Sequence, residues 1–178
     1  MKQLSSDNIF ITGINEEQNF YQIDKIKAHV DGVLHLAISI FLINEKRELL
    51  LQKRAANKYH SAGLWANSCC SHPLFGESEE ACAHRRLQEE LAVVTEVNVI
   101  NKIDYKCSVG DLIEQERVTW FRGFLDSKEE INFNREEVAE VHWISIKDLE
   151  IEAKKKPEKF ANWLHEYLSI GLVGTLLN

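Results

Sequence analysis

Between Leu34 and Leu42 the chain alternates, with Leu34, Leu36, Ile38, Ile40 and Leu42 interleaved with His35, Ala37, Ser39 and Phe41. A two-residue repeat is the strand period, because successive side chains of a pleated strand leave opposite faces. The polar run Asn44-Glu45-Lys46-Arg47 turns the chain into a second strand, Glu48 to Lys53, and the two read as a hairpin. The period changes after Ser78. Ala83, Leu87 and Leu91 recur every four residues, Ser78 is placed to cap the first turn, and Glu79 and Glu80 suit the positive end of a helix dipole. These signals predict a helix over residues 78–91, ended by the β-branched run Val93-Val94-Thr95. Strand-like runs follow at Asn98–Cys107, Leu112–Leu125 and Val138–Ile144, and Pro157 to Leu168 has helical spacing through Phe160, Trp163, Leu164 and Tyr167. Strands mixed with a few helices predict an α+β or α/β sandwich. No repeat, low-complexity tract or Pro/Gly/Ser-rich linker divides the chain, so one domain is expected over residues 1–178.

Composition narrows what such a domain can do. At 178 residues, 44% apolar and 28% charged, the chain can bury a sizeable core, and disorder is excluded. A formal net charge of -7 argues against a nucleic-acid partner and requires any anion-binding cations to be gathered locally. The longest apolar run, Val33 to Ile43, is too short to cross a bilayer and contains His35 and Ser39, while Met1 to Asp7 has no signal-peptide stretch. The expectation is a cytoplasmic protein with no membrane partner, a monomer or weak homo-oligomer. Four cysteines without C-x-x-C spacing predict reduced thiols, with Cys69, Cys82 and Cys107 as small buried hydrophobes.

Three groups of residues carry candidate chemistry. On a strand Glu114 and Glu116 share a face with Leu112, Val118 and Trp120. Such pairs are ordinarily solvated, but like charges this close repel, and a cation between them would relieve the strain. His29, His35 and His72 come from separate segments, each near a predicted strand. Three imidazoles and two carboxylates would suit a divalent transition ion such as Mn, Fe or Zn. In the predicted helix, Arg85 with Glu89 and Arg86 with Glu90 are i,i+4 pairs, by default modest surface stabilisers. Together with Glu77, the string Arg85-x-Leu87-x-Glu89-Glu90 resembles an altered Nudix box, in which Arg86 stands for a metal-binding Glu and Ala92 for a Gly. Exchanging a carboxylate for a cation weakens a hydrolytic metal cluster and adds diphosphate affinity. Finally, Cys70 and His72 lie two residues apart on what reads as extended backbone, so they share a face.

The joint pattern resembles type I isopentenyl diphosphate isomerase. It comprises Lys25-x-x-x-His29, Leu34-His35-Leu36, Arg54, Lys58, Leu64-Trp65-x-Asn67-Ser68-x-Cys70-x-His72-Pro73, Gly76-Glu77-Ser78, Arg85-Arg86, Tyr105 and Glu114-x-Glu116, in collinear order to Trp163. Ala66, Ser71 and Ala62 depart from the family's usual Thr, Gly and Pro, and Cys69 adds a second thiol; none removes a reactive group. The resemblance implies a Nudix-type α/β/α sandwich that interconverts isopentenyl and dimethylallyl diphosphates by a 1,3-allylic proton shift in isoprenoid precursor biosynthesis. An alkene is a very weak base, so the shift needs an acid and a base flanking the substrate and a cation-like state between them. By resemblance Cys70 and Glu116 fill those roles, Tyr105 hydrogen-bonds near Glu116, and His29, His35, His72, Glu114 and Glu116 hold one Mn2+ or Zn2+. Trp163 would face the carbocation, worth about 1–2 kcal/mol in a dry site. Lys25, Arg54, Lys58 and Arg86 would bind the diphosphate, with Glu90 on a Mg2+ that bridges it. The N-terminal segment and the loop around Asn57–Ala62 would close the site against water.

Rival readings differ by product. A Nudix hydrolase would release phosphate or a monophosphate, and Arg86 counts against it. A non-catalytic binding domain would have no need of Cys70 with Glu116, and a flavin-dependent isomerase would need a flavin-binding glycine pattern or a barrel-length chain, both absent.

Overall fold

The computed structural model describes residues 9–177. The N-terminal segment expected to act as a lid lies almost wholly outside them. In chain order the elements are β1 (Phe10–Ile14), β2 (Phe20–Asp24), α1 (Lys25–Asp31), β3 (His35–Ile43), β4 (Glu48–Arg54), β5 (Trp65–Ala66), β6 (Cys69–Ser71) and α2 (Glu79–Leu91). Then come β7 (Val97–Val109), β8 (Leu112–Phe124), β9 (Val138–Ser145), α3 (Ile146–Lys155), a 3-10 turn at Pro157–Lys159, α4 (Asn162–Ser169) and α5 (Leu172–Leu177).

The strand alternation is real, but both faces of β3 are covered. Ala37 and Phe41 pack with Trp120, Leu149, Leu164 and Tyr167 on the side of α3, α4 and α5. Ile38, Ile40 and Leu42 pack with Cys82, Ala83, Leu87 and Leu91 of α2 on the other. The result is an α/β/α sandwich around a mixed sheet. Its spine is β3, parallel to β8 from His35↔Glu116 to Ile43↔Phe124, with β7 antiparallel on the far edge of β8.

The expected hairpin between β3 and β4 survives only at its turn. The Asn44 amide donates to the Glu48 carbonyl, Arg47 adopts φ 60°, and only Ile43 and Leu49 pair. From there the strands part, and β4 takes β9 as its main partner. Residues 65–71 fill the split. Ser68 Oγ accepts from the Leu42 amide at 2.8 Å and donates to the Leu50 carbonyl at 2.7 Å, joining both banks. Asn67 Nδ2 donates to the Ile40 and Cys69 carbonyls. Buried backbone groups that would be orphaned by the split are thereby satisfied.

α2 begins at its predicted Ser78 cap, whose hydroxyl accepts from the Ala81 amide. It ends with Ala92 in the left-handed region at φ 54°, the position where the altered box lacks its glycine. The tail breaks where one helix was expected. Ala161 is extended and donates its amide to the Trp65 carbonyl, so α4 starts only at Asn162. α1 has no counterpart in the pattern reading. Asp24 caps it through the Lys27 amide, and Gly32 closes it at φ 63°, where a Cβ would lie 3.1 Å from Ile113. Among the described residues no helix is long and apolar enough to cross a membrane.

Candidate active site

The parity of the strands decides which side chains meet. His35 on β3 is paired with Glu116 on β8, and Cys70 on β6 with Ser39 on β3, so all four project toward α4. α1 brings His29 over the same face; it stands on a helix, one turn after Lys25. His29 Nδ1 lies 2.7 Å from the Lys25 carbonyl, and His35 Nδ1 2.7 Å from the Val33 carbonyl. A ring nitrogen facing a carbonyl carries the hydrogen, so each Nε2 presents its lone pair. Neither Nε2 has a partner, nor does His72 Nδ1, although all three are buried. Leaving such an atom unsatisfied costs about 1–3 kcal/mol.

Two orphaned imidazole nitrogens, Nε2 of His29 and of His35, stand with His72 and Glu116 in a set that fits a divalent ion. Ligand atoms of His29, His35, His72 and Glu116 lie within 4.8 Å of one another. His29 and His35 are held from behind by backbone carbonyls, the outer support that fixes tautomer and ring orientation in histidine metal sites. Burial keeps His29 neutral, lowering its pKa to about 4, and holds His72 well below the usual imidazole range. Burial alone would raise Glu116, but the hydrogen bond from His72 and the neighbouring His35 ring outweigh it and hold the carboxyl well below its usual range. His72 Nε2 donates to Glu116 Oε1 at 2.8 Å.

Glu114, expected as a fifth ligand, stands beside this group. It is buried, not solvated, and burial together with the Glu116 charge pushes its carboxyl upward. Tyr105 Oη is 2.7 Å from Glu116 Oε2 and 3.0 Å from Glu114 Oε2. A phenol has one hydrogen; donated to ionised Glu116, it leaves a proton on Glu114 to fill the second contact. Glu114, Tyr105 and Glu116 thus form a hydrogen-bonded relay. Cys107 is no buried filler: it is half-buried, and its thiol lies 3.6 Å from Glu114.

Cys70 donates to Asn67 Oδ1 at 3.0 Å and touches Ser39 Oγ at 3.3 Å. Ser39 is fixed in turn by Tyr167 Oη at 2.8 Å. Burial pushes the thiol up to about 12 against the opposing pull of those hydrogen bonds, so it holds its proton at neutral pH. Asn67 Oδ1 also accepts from the Trp163 indole at 3.3 Å, which brings tryptophan and thiol to one acceptor. The Arg54 guanidinium lies 5.3 Å from the centre of the Trp163 ring.

The expected diphosphate cations gather at the mouth of the split. Arg86 donates to Glu90 Oε1 through Nε and Nη2 at 3.1 and 2.6 Å, and through Nη1 to Glu89. Gln52 Nε2 takes Glu90 Oε2 at 3.0 Å, so both oxygens of the expected Mg2+ ligand are engaged. Lys58 donates to Glu137 at 2.5 Å. Lys25 is lowered to about 8, first by burial and then by repulsion from Lys58, Arg86 and Arg54, which shows how closely the four charges crowd.

His60, Ser39, Asn67 and Tyr167 were assigned no roles from sequence. Ser39 was within reach, since it shares the face of His35 in the two-residue pattern of β3. His60 was not: it lies in the 55–64 loop, its side chain only 8% exposed, wedged against Tyr59, His29 and Trp163 with Nε2 3.7 Å from Glu114.

A split mixed sheet between helices is the build of the Nudix fold, and residues 33–166 match the family model described as NUDIX domain. The fold is shared with the DR0079 protein of Deinococcus radiodurans, TM-score 0.68 at 16% identity over 85% of this chain and 91% of that one. It is shared also with a NUDIX hydrolase from Nitrosomonas europaea, TM-score 0.59 at 14% identity over 79% and 89%. A protein of Cereibacter sphaeroides named isopentenyl-diphosphate Delta-isomerase is 43% identical over 155 residues, 86% of this chain and 87% of the relative. One of the same name from Serratia proteamaculans is 45% identical over 140 residues, 78% and 77%. The chain belongs to the Nudix superfamily and, within it, to the isopentenyl-diphosphate Delta-isomerase family.

Proposed function

We propose that this protein interconverts isopentenyl and dimethylallyl diphosphates, with Cys70 and Glu116 exchanging protons with the two ends of the allylic system. The observation that carries the reading is the pairing, on one interior face, of a thiol that donates to Asn67 with a carboxylate that accepts from His72 and Tyr105. In those protonation states Cys70 is the donor and Glu116 the acceptor, and microscopic reversibility exchanges the roles in the opposite direction. Tyr105, backed by protonated Glu114, donates to Glu116 and holds the carboxylate in place for the transfer. Trp163 offers its indole to the positive charge that develops between the two steps.

The donor set suits one Mn2+ or Zn2+, which His29, His35, His72 and Glu116 would hold, Glu114 joining only on losing its proton; Glu90 would take a Mg2+ only on release by Arg86 or Gln52. Such ions supply fixed positive charge that keeps the carboxylates oriented and screens the phosphates. Lys25, Arg54, Lys58 and Arg86 bind the diphosphate oxygens, Arg86 by releasing part of its grip on Glu89 and Glu90. The 55–64 loop, with Tyr59 and His60 over the imidazoles, keeps water from the cationic state. One domain carries all of this, acting on a small diphosphate with no nucleic-acid or membrane partner.

The test is incubation of Mg2+- and Mn2+-supplemented protein with isopentenyl diphosphate in deuterated water, followed by proton NMR. Deuterium entering dimethylallyl diphosphate is the expected result. Unchanged substrate, or phosphate release without exchange, rejects the proposal.

A further inference from the structure

Glu137 has no part in the proton chemistry, yet it sits among the cations assigned to the diphosphate. Its Oε2 is 2.5 Å from Lys58 Nζ and 3.5 Å from Arg86 Nη2, so one carboxylate oxygen is shared by two like charges from different segments. The side chains of Lys58 and Glu137 are 21% and 24% exposed, which sets this pair apart from the solvated ion pairs of the surface. Both cations keep hydrogens in reserve: an ammonium has three and spends one here, and a guanidinium has five.

Glu137 is itself held in place. Its amide donates to the Asn134 carbonyl, the Asn134 amide to the Glu90 carbonyl at the end of α2, and the Ala55 amide to the Glu137 carbonyl. This chain of backbone bonds runs from α2, which carries Arg86, to the loop that carries Lys58. Lys58 has a flexible four-carbon stem on a segment without regular structure, and it and Lys25 repel each other.

We infer that Glu137 is a positioning residue that clamps Lys58 beside Arg86, presenting the two as one preassembled grip for a phosphate group of the substrate. The inference rests on the reading of Lys58 and Arg86 as diphosphate ligands. Its alternative within the same geometry is a placeholder, an internal anion that occupies the phosphate seat and competes with substrate. The opposite signs of the two effects separate them.

The experiment is a double-mutant cycle on the Mg2+- and Mn2+-loaded protein with Glu137→Gln, Lys58→Met and the double variant, reading KM and kcat for isopentenyl diphosphate and binding of inorganic pyrophosphate by calorimetry. Glu137→Gln is expected to raise KM roughly fivefold or more with kcat within about twofold, and to add nothing in the Lys58→Met background. Glu137→Asp, which keeps the charge and shortens its reach, should fall between, and carries the same test if the amide variant does not fold. Glu136→Gln removes the neighbouring charge, whose side chain accepts from Asn57 at 3.2 Å, and should leave KM unchanged. An unchanged KM in Glu137→Gln, tighter pyrophosphate binding, or additive effects in the double variant overturns the inference. If Lys58→Met itself leaves KM unchanged, it is the assignment of Lys58 to the diphosphate that fails.

Discussion

The imidazole cage and the cation cluster come from interleaved stretches of the sequence, yet they deal with charge in opposite ways. The cage is built on α1, β3 and β8 and carries polar atoms with nothing to bind: His29 Nε2, His35 Nε2 and His72 Nδ1. In the cluster Lys58 and Arg86 are already answered by carboxylates, Glu137 for one and Glu89, Glu90 and Glu137 for the other. The cage gains stability when a cation arrives, whereas in the cluster Arg86 loosens its hold on Glu89 and Glu90 when a phosphate arrives and Glu137 stays in place. Geometry set by regular elements can remain unsatisfied in advance, because packing holds it there. Lys58, on a loop, has to be held by the charges around it.

The sharpest way to break this contrast is at the chemistry. Cys70→Ala should lower turnover by about 10³-fold while leaving the diphosphate KM within a few-fold, measured by deuterium incorporation. A comparable loss through KM would show that the thiol serves binding. Arg86→Met should act on the other side of the divide, weakening diphosphate binding by about 10²-fold, since a hydrogen bond to a charged group contributes about 1.5–3 kcal/mol. It should also lower thermal stability, because Glu90 is left buried without its cation.

Metal removal by a chelator should abolish turnover and lower Tm, with Mn2+ at a hundred times its Kd restoring about 2.7 kcal/mol. The metal-free protein should lose stability on acidification. His29 takes its proton near pH 4 when folded and near 6.5 when unfolded, so between those values the unfolded chain binds more protons and stability falls as pH falls. His60 and His72, also lowered by burial, act in the same direction; Glu114, raised, opposes them over part of the window. Urea titrations at pH 7 and pH 5 check the sign, and a metal-free protein more stable at pH 5 would contradict it. Smallest of all, Ala92→Gly should relieve the left-handed turn after α2 and stabilise the fold by up to about 1 kcal/mol without changing turnover.

Much of this molecule could be read from local pattern. β3, α2, β8 and β9 lie within a few residues of their predicted spans, because each has a period, a cap or a turn of its own. α1 did not show, since seven residues bounded by Asp24 and Gly32 are too few to establish a repeat. The pairing of β4 with β9 joins segments some ninety residues apart, and the Asn44–Arg47 turn pointed to the wrong partner. The candidate metal ligands and reactive pair were named together by the resemblance, and the structure brings His29, His35, His72 and Glu116 together; no spacing rule would have assembled them from four segments. His60 and Glu137 were silent for a related reason. Each is one polar residue in a loop, and its significance lies in what it touches.

The plug in the split sheet has a consequence for how the chain can vary. Asn67 and Ser68 complete the hydrogen bonding of β3 and β4, and Asn67 also receives the Cys70 thiol and the Trp163 indole. The residues that decide whether the sheet closes are therefore the ones that aim the reactive sulfur. A substitution there cannot be sorted into one that harms folding or one that harms chemistry, and any recovery of one would have to recover the other in the same step.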